Sequence, residues 1–262
     1  MSSNIYFFYI FIFYLGTILG SFANVCIYRL PLEKGVITGR SFCPKCKGKI
    51  LWHDNLPIVS YWFLRRKCRN CKKRISLQYF IVELISGLAL LYFVASLNTY
   101  IDVFIIDVIF FIFLIIFFID LKHFLIPDIL NFTLIIIAFL KNFIPNLSIN
   151  LNQDMGETLL GGILGYSIIW LIIISYKKIR HMEAMGLGDA KLMAGIGLLF
   201  GWKSVPFVLF VSAILGLLMV LPFLVKKKKS LKSEIPFGPY IITAGIIYFL
   251  YGDVLYQMVL GI

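Results

Sequence analysis

The sequence is poor in charge, and above all in negative charge. Only 15% of its 262 residues are Asp, Glu, Lys or Arg, and 13 acidic residues stand against 25 basic ones. Hydrophobic residues make up 60% of the chain, and the mean hydropathy is +0.92. A soluble protein of this size cannot bury so much apolar surface, and a disordered chain would need far more charge. Both classes are therefore excluded, and a protein with several membrane spans is favoured.

Eight apolar segments are long enough, or nearly so, to cross a hydrocarbon core of roughly 30 Å as helices. The first lacks the basic start and small-residue cleavage site of a signal peptide, so we interpret it as a retained span. The sixth is short and rich in glycine. The predicted spans are 5–27, 79–97, 101–119, 129–145, 157–175, 187–202, 204–225 and 237–260. The expected fold is an all-α integral membrane protein with about eight transmembrane helices.

Basic residues are distributed unevenly between the connecting loops. If the loops after spans 1, 3, 5 and 7 share one side, these loops hold 22 of the 25 Lys and Arg residues, and Lys191, near the same end of span 6, brings that side to 23. Only Lys141 and Lys203 fall on the other side. Positive charge marks cytoplasmic loops, so both termini are expected on the outer side. Topology thus explains the net charge of +12, and a nucleic acid partner is not required. We predict a multi-pass protein of the inner (plasma) membrane, in contact with lipid.

One sizeable aqueous segment divides the chain into a first transmembrane helix (1–27), a cytoplasmic loop domain (28–78) and a multi-spanning region (79–262). The loop contains two C-x-x-C pairs separated by 21 residues. Each pair can offer two thiolates to one tetrahedral ion, and the reducing cytosol disfavours the alternative of disulfides. Four thiolates close the coordination shell, so a structural zinc site is expected. Its predicted ligands are Cys43, Cys46, Cys68 and Cys71, while Cys26 is expected to be a small buried hydrophobe.

Acidic residues in or beside apolar spans are costly and require a reason. Asp120 and Asp189 are 69 residues apart but both fall at the predicted cytoplasmic edge of the membrane. Two carboxylates in a partly dry site share one proton, so one can activate water while the other protonates a carbonyl. This is the chemistry of aspartic proteases, whose target is a peptide bond. Gly186 and Gly188 would allow tight helix approach or local unwinding beside Asp189.

The other acids have simpler interpretations. Asp128 follows a proline and precedes an apolar run, which is typical of a helix N-cap. Asp102 and Asp107 lie toward the outer end of span 3 and are expected to reach water. Glu83 is either a buried hydrogen-bonded residue or part of a second site.

These features together resemble the bacterial type IV prepilin peptidases, also called leader peptidase and N-methyltransferase. The matching pieces keep the order of that family and extend over most of the chain. They are the segments 20–31, 55–57, 82–84, 120–128 and 186–192, with both cysteine pairs and Ser60. The chain departs from the family pattern after Ser76, where an arginine and then Tyr-Pro would be expected and Gln78-Tyr79-Phe80 stand instead.

The resemblance implies an inner-membrane aspartic endopeptidase that cuts the basic leader of prepilins and pseudopilins just after a glycine, with Asp120 and Asp189 as the catalytic pair. It also implies methylation of the new N-terminus by S-adenosylmethionine, an activity associated with the cytoplasmic loop. Six further positions match the family's motifs and are candidates for substrate or cofactor contacts. They are Asn24, Asn55, Glu83, Gly186, Gly188 and Lys191.

Three other functions compete with this interpretation. A proton- or cation-coupled transporter would also carry intramembrane acids, but it predicts a repeated pair of broken helices that the sequence does not show. A zinc-knuckle scaffold of a secretion or pilus complex would leave both aspartates dispensable. A zinc protease is disfavoured because four thiolates leave no open position for water, and because His53, His123 and His181 form no His-Glu-x-x-His pattern. The histidines are expected to be solvated loop residues, the alternative being that His123 and His181 border the aspartate pair.

Overall fold

A computed structural model describes residues 2–36, 41–144, 147, 154–180, 185–225 and 235–260. Each of the eight predicted apolar segments coincides with a helix, and a further short helix lies in the long loop. The helices are α1 (Ser2–Arg29), α2 (Val59–Phe63), α3 (Leu77–Ser96), α4 (Tyr100–His123), α5 (Asp128–Leu140), α6 (Met155–Arg180), α7 (Leu187–Phe200), α8 (Ser204–Val225) and α9 (Gly238–Leu260). In the described part of the chain, β-structure is confined to two isolated bridges in the long loop.

Among the described residues, five helices are long and apolar enough to cross a membrane, namely α1, α3, α4, α6 and α8. The described apolar part of α9, Gly238–Gly252, is shorter. Helices α5 and α7 contain 13 and 14 residues. The all-helical class is therefore confirmed, and these apolar helices support a multi-pass membrane protein.

The chain forms two compact units, Met1–Ile115 and Ile116–Ile262. In the first unit, α1 and α3 pack closely because glycines line their seam. A Cβ added to Gly20 would lie 2.7 Å from the Cα of Glu83, and one added to Gly87 would lie 2.7 Å from Cγ2 of Thr17. Small residues allow membrane helices to approach in this way. This packing fixes Glu83 in the seam between the two helices.

Helix α7 forms the core of the second unit. From Asp189 to Phe200 every residue except Lys191 is buried. Gly161 and Gly165 of α6 lie directly against the backbone of Gly197 and Met193, where no Cβ would fit. The helix at the predicted sixth span is therefore enclosed by protein, and its glycines serve close packing.

A buried lysine holds the carbonyl end of α7. Lys141, which is 2% exposed, donates a hydrogen bond from Nζ to the carbonyl oxygen of Leu199 at 2.7 Å. The last carbonyls of a helix lack partners within the helix and carry partial negative charge, so a lysine there is favourable. Gly201 follows with a φ of 75°, a conformation that glycine adopts without strain.

Candidate functional site

The two aspartates singled out from the sequence meet in the second unit. Asp120 lies in the last turn of α4, and Asp189 lies in the first turn of α7. The residues are 4% and 8% exposed, and their carboxylates are close enough to interact electrostatically. The fold thus brings two acids from distant parts of the chain into one buried place, which is the arrangement that a shared proton requires.

A tight turn after α4 determines what surrounds Asp120. Phe124 has a φ of 54°, and its N–H donates to the carbonyl oxygen of Asp120 at 3.0 Å. Pro127 then occupies the N-cap position of α5. The turn between the two helices therefore directs Ile126 toward the start of α7, where a Cβ on Gly188 would lie 3.1 Å from the Cβ of Ile126.

The two glycines before Asp189 have different roles. Gly188 has little room for a side chain, as expected for a position of close approach. Gly186 is the N-cap of α7, with φ −81° and ψ 152°, and a Cβ there would lie 3.8 Å from its nearest neighbours among the described residues. Gly188 therefore lies at a close approach, whereas Gly186 has an extended conformation that is open to any residue.

Asp120 also contacts a helix that the sequence analysis did not connect with the site. The backbone N–H of Gly238, at the start of α9, donates to Oδ2 of Asp120 at 2.9 Å. A hydrogen bond from a backbone N–H leaves no side-chain signature in the sequence. Only the proximity of Gly238 and Pro239 to the start of the last apolar segment could have marked this helix end.

The side chain of Lys191 forms an ion pair. Its Nζ lies 2.6 Å from Oδ1 of Asp128 and 5.4 Å from the centre of the Phe132 ring. Asp128 was expected to be an N-cap, and this is wrong: Pro127 precedes it as the N-cap, and Asp128 is the first residue of α5. Its carboxylate therefore faces α7 instead of the end of its own helix.

Asn131 is a polar residue of the site that the sequence analysis missed. It is fully buried, and its Nδ2 donates to the carbonyl oxygen of Gly188 at 3.2 Å. Its Oδ1 has no hydrogen-bond partner among the described residues. An asparagine three residues after Asp128 in an otherwise apolar helix was the available signal, since buried amides normally need partners.

In the first unit, Glu83 is a buried acceptor. Its Oε2 receives the N–H of Ile58 at 2.7 Å. Ile58 has a φ of 61°, which is unusual for a β-branched residue. Asn24 donates from Nδ2 to the carbonyl oxygen of Tyr79 at 3.1 Å, whereas Asn55 is exposed in a 3₁₀ turn. Asn24 and Glu83 thus both belong to the α1–α3 seam, and Asn55 lies on the surface.

The expectation that Asp102 reaches water is wrong. The residue is 1% exposed and lies in the first turn of α4, where Thr99 Oγ1 accepts the N–H of Asp102 at 3.2 Å. A carboxylate at this end of a helix is stabilised by the helix dipole. Asp107 is partly exposed, and so remains compatible with the expectation; His53 and His123 are exposed, and His181 lies outside the described residues.

The four predicted metal ligands come together. The sulfur atoms of Cys43, Cys46, Cys68 and Cys71 all lie within 4.8 Å of one another. In a tetrahedral zinc site with Zn–S bonds near 2.3 Å, sulfur atoms are separated by roughly 3.8 Å, so the cluster needs only slight contraction around an ion. Backbone N–H groups of Cys71 and Asn70 lower the pKa of Cys68 to about 7. Cys26 is buried outside the cluster, as predicted.

The two halves of this cluster are built alike, with an offset of 25 residues. A β-bridge pairs Phe42 with Lys49 in the first half, and Lys67 with Arg74 in the second. In both halves, the N–H of the first cysteine donates to the residue five positions later at 2.9 Å. Lys47 and Lys72 have φ angles of 58° and 57°, and each follows the second cysteine of its pair. The repeat of C-x-x-C-K with a later Ile, visible in the sequence, could have predicted this symmetry.

An ion pair links the second half of the cluster to the turn at 52–55. Arg69 donates to both carboxylate oxygens of Asp54, at 2.7 and 2.6 Å. This hydrogen-bonded guanidinium holds the pKa of Asp54 below its usual value. The two parallel hydrogen bonds orient the turn at 52–55, which also contains Asn55, relative to the cysteines.

Comparison with known proteins relates the chain to one group. Residues 14–97 match the bacterial peptidase A24 N-terminal domain, and residues 107–221 match the type IV leader peptidase family. The chain is 34% identical over 244 residues to a prepilin leader peptidase/N-methyltransferase of Vibrio cholerae, covering 90% of this chain and 93% of the relative. Proteins of the same name from Aeromonas hydrophila and Pectobacterium carotovorum are 31% and 32% identical, covering 95% and 88% of this chain and 92% and 89% of theirs. No solved structure matches the chain.

Proposed function

This chain belongs to the type IV leader peptidase family, and we propose that it is a membrane-embedded aspartic endopeptidase that removes the basic leader of type IV prepilins or pseudopilins after a glycine. The observation that carries the proposal is the buried pairing of Asp120 with Asp189. Both belong to segments that resemble the family's aspartate motifs.

The chemistry needs only the two carboxyl groups and a water molecule. The ionised carboxylate takes a proton from water as the water oxygen attacks the carbonyl carbon of the scissile bond. The protonated carboxyl group gives its proton to the carbonyl oxygen, which produces a tetrahedral diol. The diol collapses, the C–N bond breaks, and a proton passes to the leaving amine. The single proton on the pair is returned to it at the end.

The depth of the pair matches a substrate that is itself a membrane helix. At 1.5 Å per residue, the 14 residues of α7 span about 21 Å, less than the roughly 30 Å hydrocarbon core. We place the start of α7, with Asp189, at the cytoplasmic edge, where the leader of a prepilin would join its apolar helix. In this arrangement eight helices cross or enter the membrane, with the loop domain (28–78) and the active site on the cytoplasmic side.

This orientation predicts opposite behaviour for reporters inserted into two loops. Alkaline phosphatase, which folds only outside the cytoplasm, should be inactive after Arg74 and active after Ile144. Green fluorescent protein at the same two positions should give the reverse pattern. Active phosphatase after Arg74 would place the cysteine cluster outside and would contradict the proposed topology.

We also propose that the chain methylates the new N-terminus. The loop domain (28–78) would serve this reaction, while the region 79–262 would carry the peptidase. S-adenosylmethionine supplies an electrophilic methyl group. The α1–α3 seam fits a polar ligand because Asn24 Oδ1 and Ser86 Oγ are buried without a hydrogen-bond partner in the described part of the chain, close to Glu83. These residues and Asn55 are the candidates for holding the cofactor or the substrate N-terminus.

The metal has a structural role in this proposal. Four thiolates leave zinc no open position for water or substrate, so the ion would tie the loop together. The basic residues around the cysteines offset the negative charge of the four-thiolate site.

The proposal predicts the products of a prepilin co-expressed with this chain. Mass spectrometry should show loss of the leader up to and including its last glycine, and an added mass of one methyl group on the mature N-terminus. A prepilin whose last leader glycine is replaced by a bulkier residue serves as the substrate control and should remain uncut. Absence of cleavage for several different prepilins would contradict the peptidase proposal, and cleavage without the added methyl would contradict methylation alone.

A further inference from the structure

Helix α9 begins directly at the aspartate pair. The N–H of Gly238 donates to Oδ2 of Asp120 at 2.9 Å, and the contact is buried although the two residues are 118 positions apart. The match to the type IV leader peptidase family ends at residue 221.

This hydrogen bond gives a partner to a backbone N–H group at the start of α9. The first N–H groups of a helix have no partner within it, and a buried one needs a partner elsewhere. At the start of α9, the N–H groups of Tyr240 and Ile241 donate to the carbonyl oxygen of Phe237, and Pro239 has no N–H. The remaining donor is Gly238, and Asp120 is its acceptor.

The contact also has an electrostatic consequence for Asp120. This residue lies in the last turn of α4, where the partial negative charge of the helix end disfavours a carboxylate. The start of α9 carries the opposite partial charge and donates a hydrogen bond to the same side chain. The helix start therefore offsets the unfavourable position of Asp120 on its own helix.

A side chain at residue 238 would fit only if the Asp120 carboxylate moved. A Cβ there would lie 2.8 Å from Oδ2 of Asp120 and 3.2 Å from Cδ1 of Ile126. Ile126 belongs to the turn that also packs against Gly188 at the start of α7. Any side chain at position 238 would push against the carboxylate on one side and against this turn on the other.

We infer that Gly238 is a positioning residue, whose N–H and missing side chain hold the Asp120 carboxylate in the orientation that meets Asp189. This inference rests on the proposed peptidase function. It makes the N-terminus of α9 the third element of the active site, besides the end of α4 and the start of α7. Gly238 itself does not touch the substrate and acts through the Asp120 carboxylate.

The substitution Gly238→Ala tests this role in the full-length protein, in detergent or vesicles with a prepilin substrate. We expect kcat to fall about 100-fold, because a displacement of a catalytic group by a fraction of an ångström to 1 Å has effects of this order. KM should stay within about twofold, since binding of the prepilin does not depend on the orientation of Asp120. Unchanged kcat in Gly238→Ala would overturn the inference.

Two matched variants separate positioning from general packing. Gly245→Ala introduces the same methyl group on the same helix, where it would lie 3.4 Å from Cδ1 of Ile196, and should leave kcat within about twofold. The double variant Gly238→Ala with Ile126→Val removes the Cδ1 atom from the contact but leaves the clash with Asp120. It should remain as impaired as Gly238→Ala, and recovery would show that the loss came from Ile126 packing.

The same variants keep the test valid if Gly238→Ala alone does not fold. The double variant then carries the measurement, because the valine gives the added methyl more room. Wild-type protein and Asp120→Asn are measured in parallel. If the wild type does not cleave, the proposed function and this inference fail together. If the wild type cleaves, Asp120→Asn does not, and the 238 variants match the wild type, the positioning role alone fails.

Discussion

Replacing either Asp120 or Asp189 by Asn is expected to reduce leader cleavage by about 10³-fold or more. An amide can neither take the proton from water nor give one to the carbonyl oxygen, and each proton transfer contributes about 10²–10⁴-fold to such reactions. The substitution of Asp by Asn otherwise changes the size and shape of the side chain very little. In Asp120→Asn the side-chain oxygen of the new amide could still accept the N–H of Gly238, because this hydrogen bond uses the carboxylate only as an acceptor. The loss should therefore reflect chemistry and not unfolding.

The measurement is the rate of leader removal from a purified prepilin, with the folded state checked by gel filtration and zinc content. Glu157→Gln is the matched control, because Glu157 is a partly exposed carboxylate of the same unit that pairs with Lys203 at 3.8 Å. Its rate should match that of the wild type. The double Asn variant should be no slower than either single one, since the two groups act as one unit. A rate above one tenth of the wild type in either single variant would exclude the paired-aspartate mechanism.

Replacing Cys68 by Ser is expected to remove the metal and abolish methylation while cleavage continues. Three remaining thiolates bind zinc far more weakly, and the loop has little core of its own to keep it folded without the ion. Bound zinc should fall from one to below about 0.1 per chain. Cys68 belongs to the first compact unit, whereas both aspartates belong to the second. The cleavage rate should therefore stay within about threefold of the wild type.

Zinc content measured by elemental analysis and the product mass measured with a prepilin substrate check this expectation. Cys26→Ser is the control, since Cys26 is buried in α1 and takes no part in the cluster. It should retain zinc and both activities. Methylation at the wild-type level by zinc-free Cys68→Ser would show that the metal site is not needed for the second activity. Loss of cleavage together with zinc would mean that the first unit also supports the peptidase.

The sequence was sufficient to locate the helices because the hydrocarbon core sets the length of each apolar run. It also suggested Asp120 and Asp189 as a pair, since charged groups stand out against an apolar background. The cysteine cluster was predictable because metal ligands have restricted spacing. In each case the signal is a residue type that would destabilise the protein if it did not have a specific place in the structure.

Other parts of the site depend on contacts that residue types do not reveal. Gly238 acts through a backbone N–H, and Asn131 acts through the carbonyl oxygen of Gly188. Backbone groups are the same at every position, so these contacts appear only once the helices are packed. Asp128 was assigned to the wrong partner for a related reason: a local N-cap pattern cannot show that Lys191 of α7 lies 2.6 Å away.

The enclosure of α7 bears on how the chain is inserted into the bilayer. An Asp or a Lys at the centre of a helix raises the free energy of membrane insertion by about 2.5–3.5 kcal/mol. Asp189 and Lys191 lie near the end of α7, but they still disfavour the insertion of so short a helix. Such a helix has little tendency to leave the translocation machinery for lipid by itself. Helix α7 contacts α5 and α6, which are synthesised before it, and α8 and α9, which are synthesised after it. It needs these neighbours to stay in the membrane. The surroundings of α7 would then be complete only after α9 has been made and has packed against it.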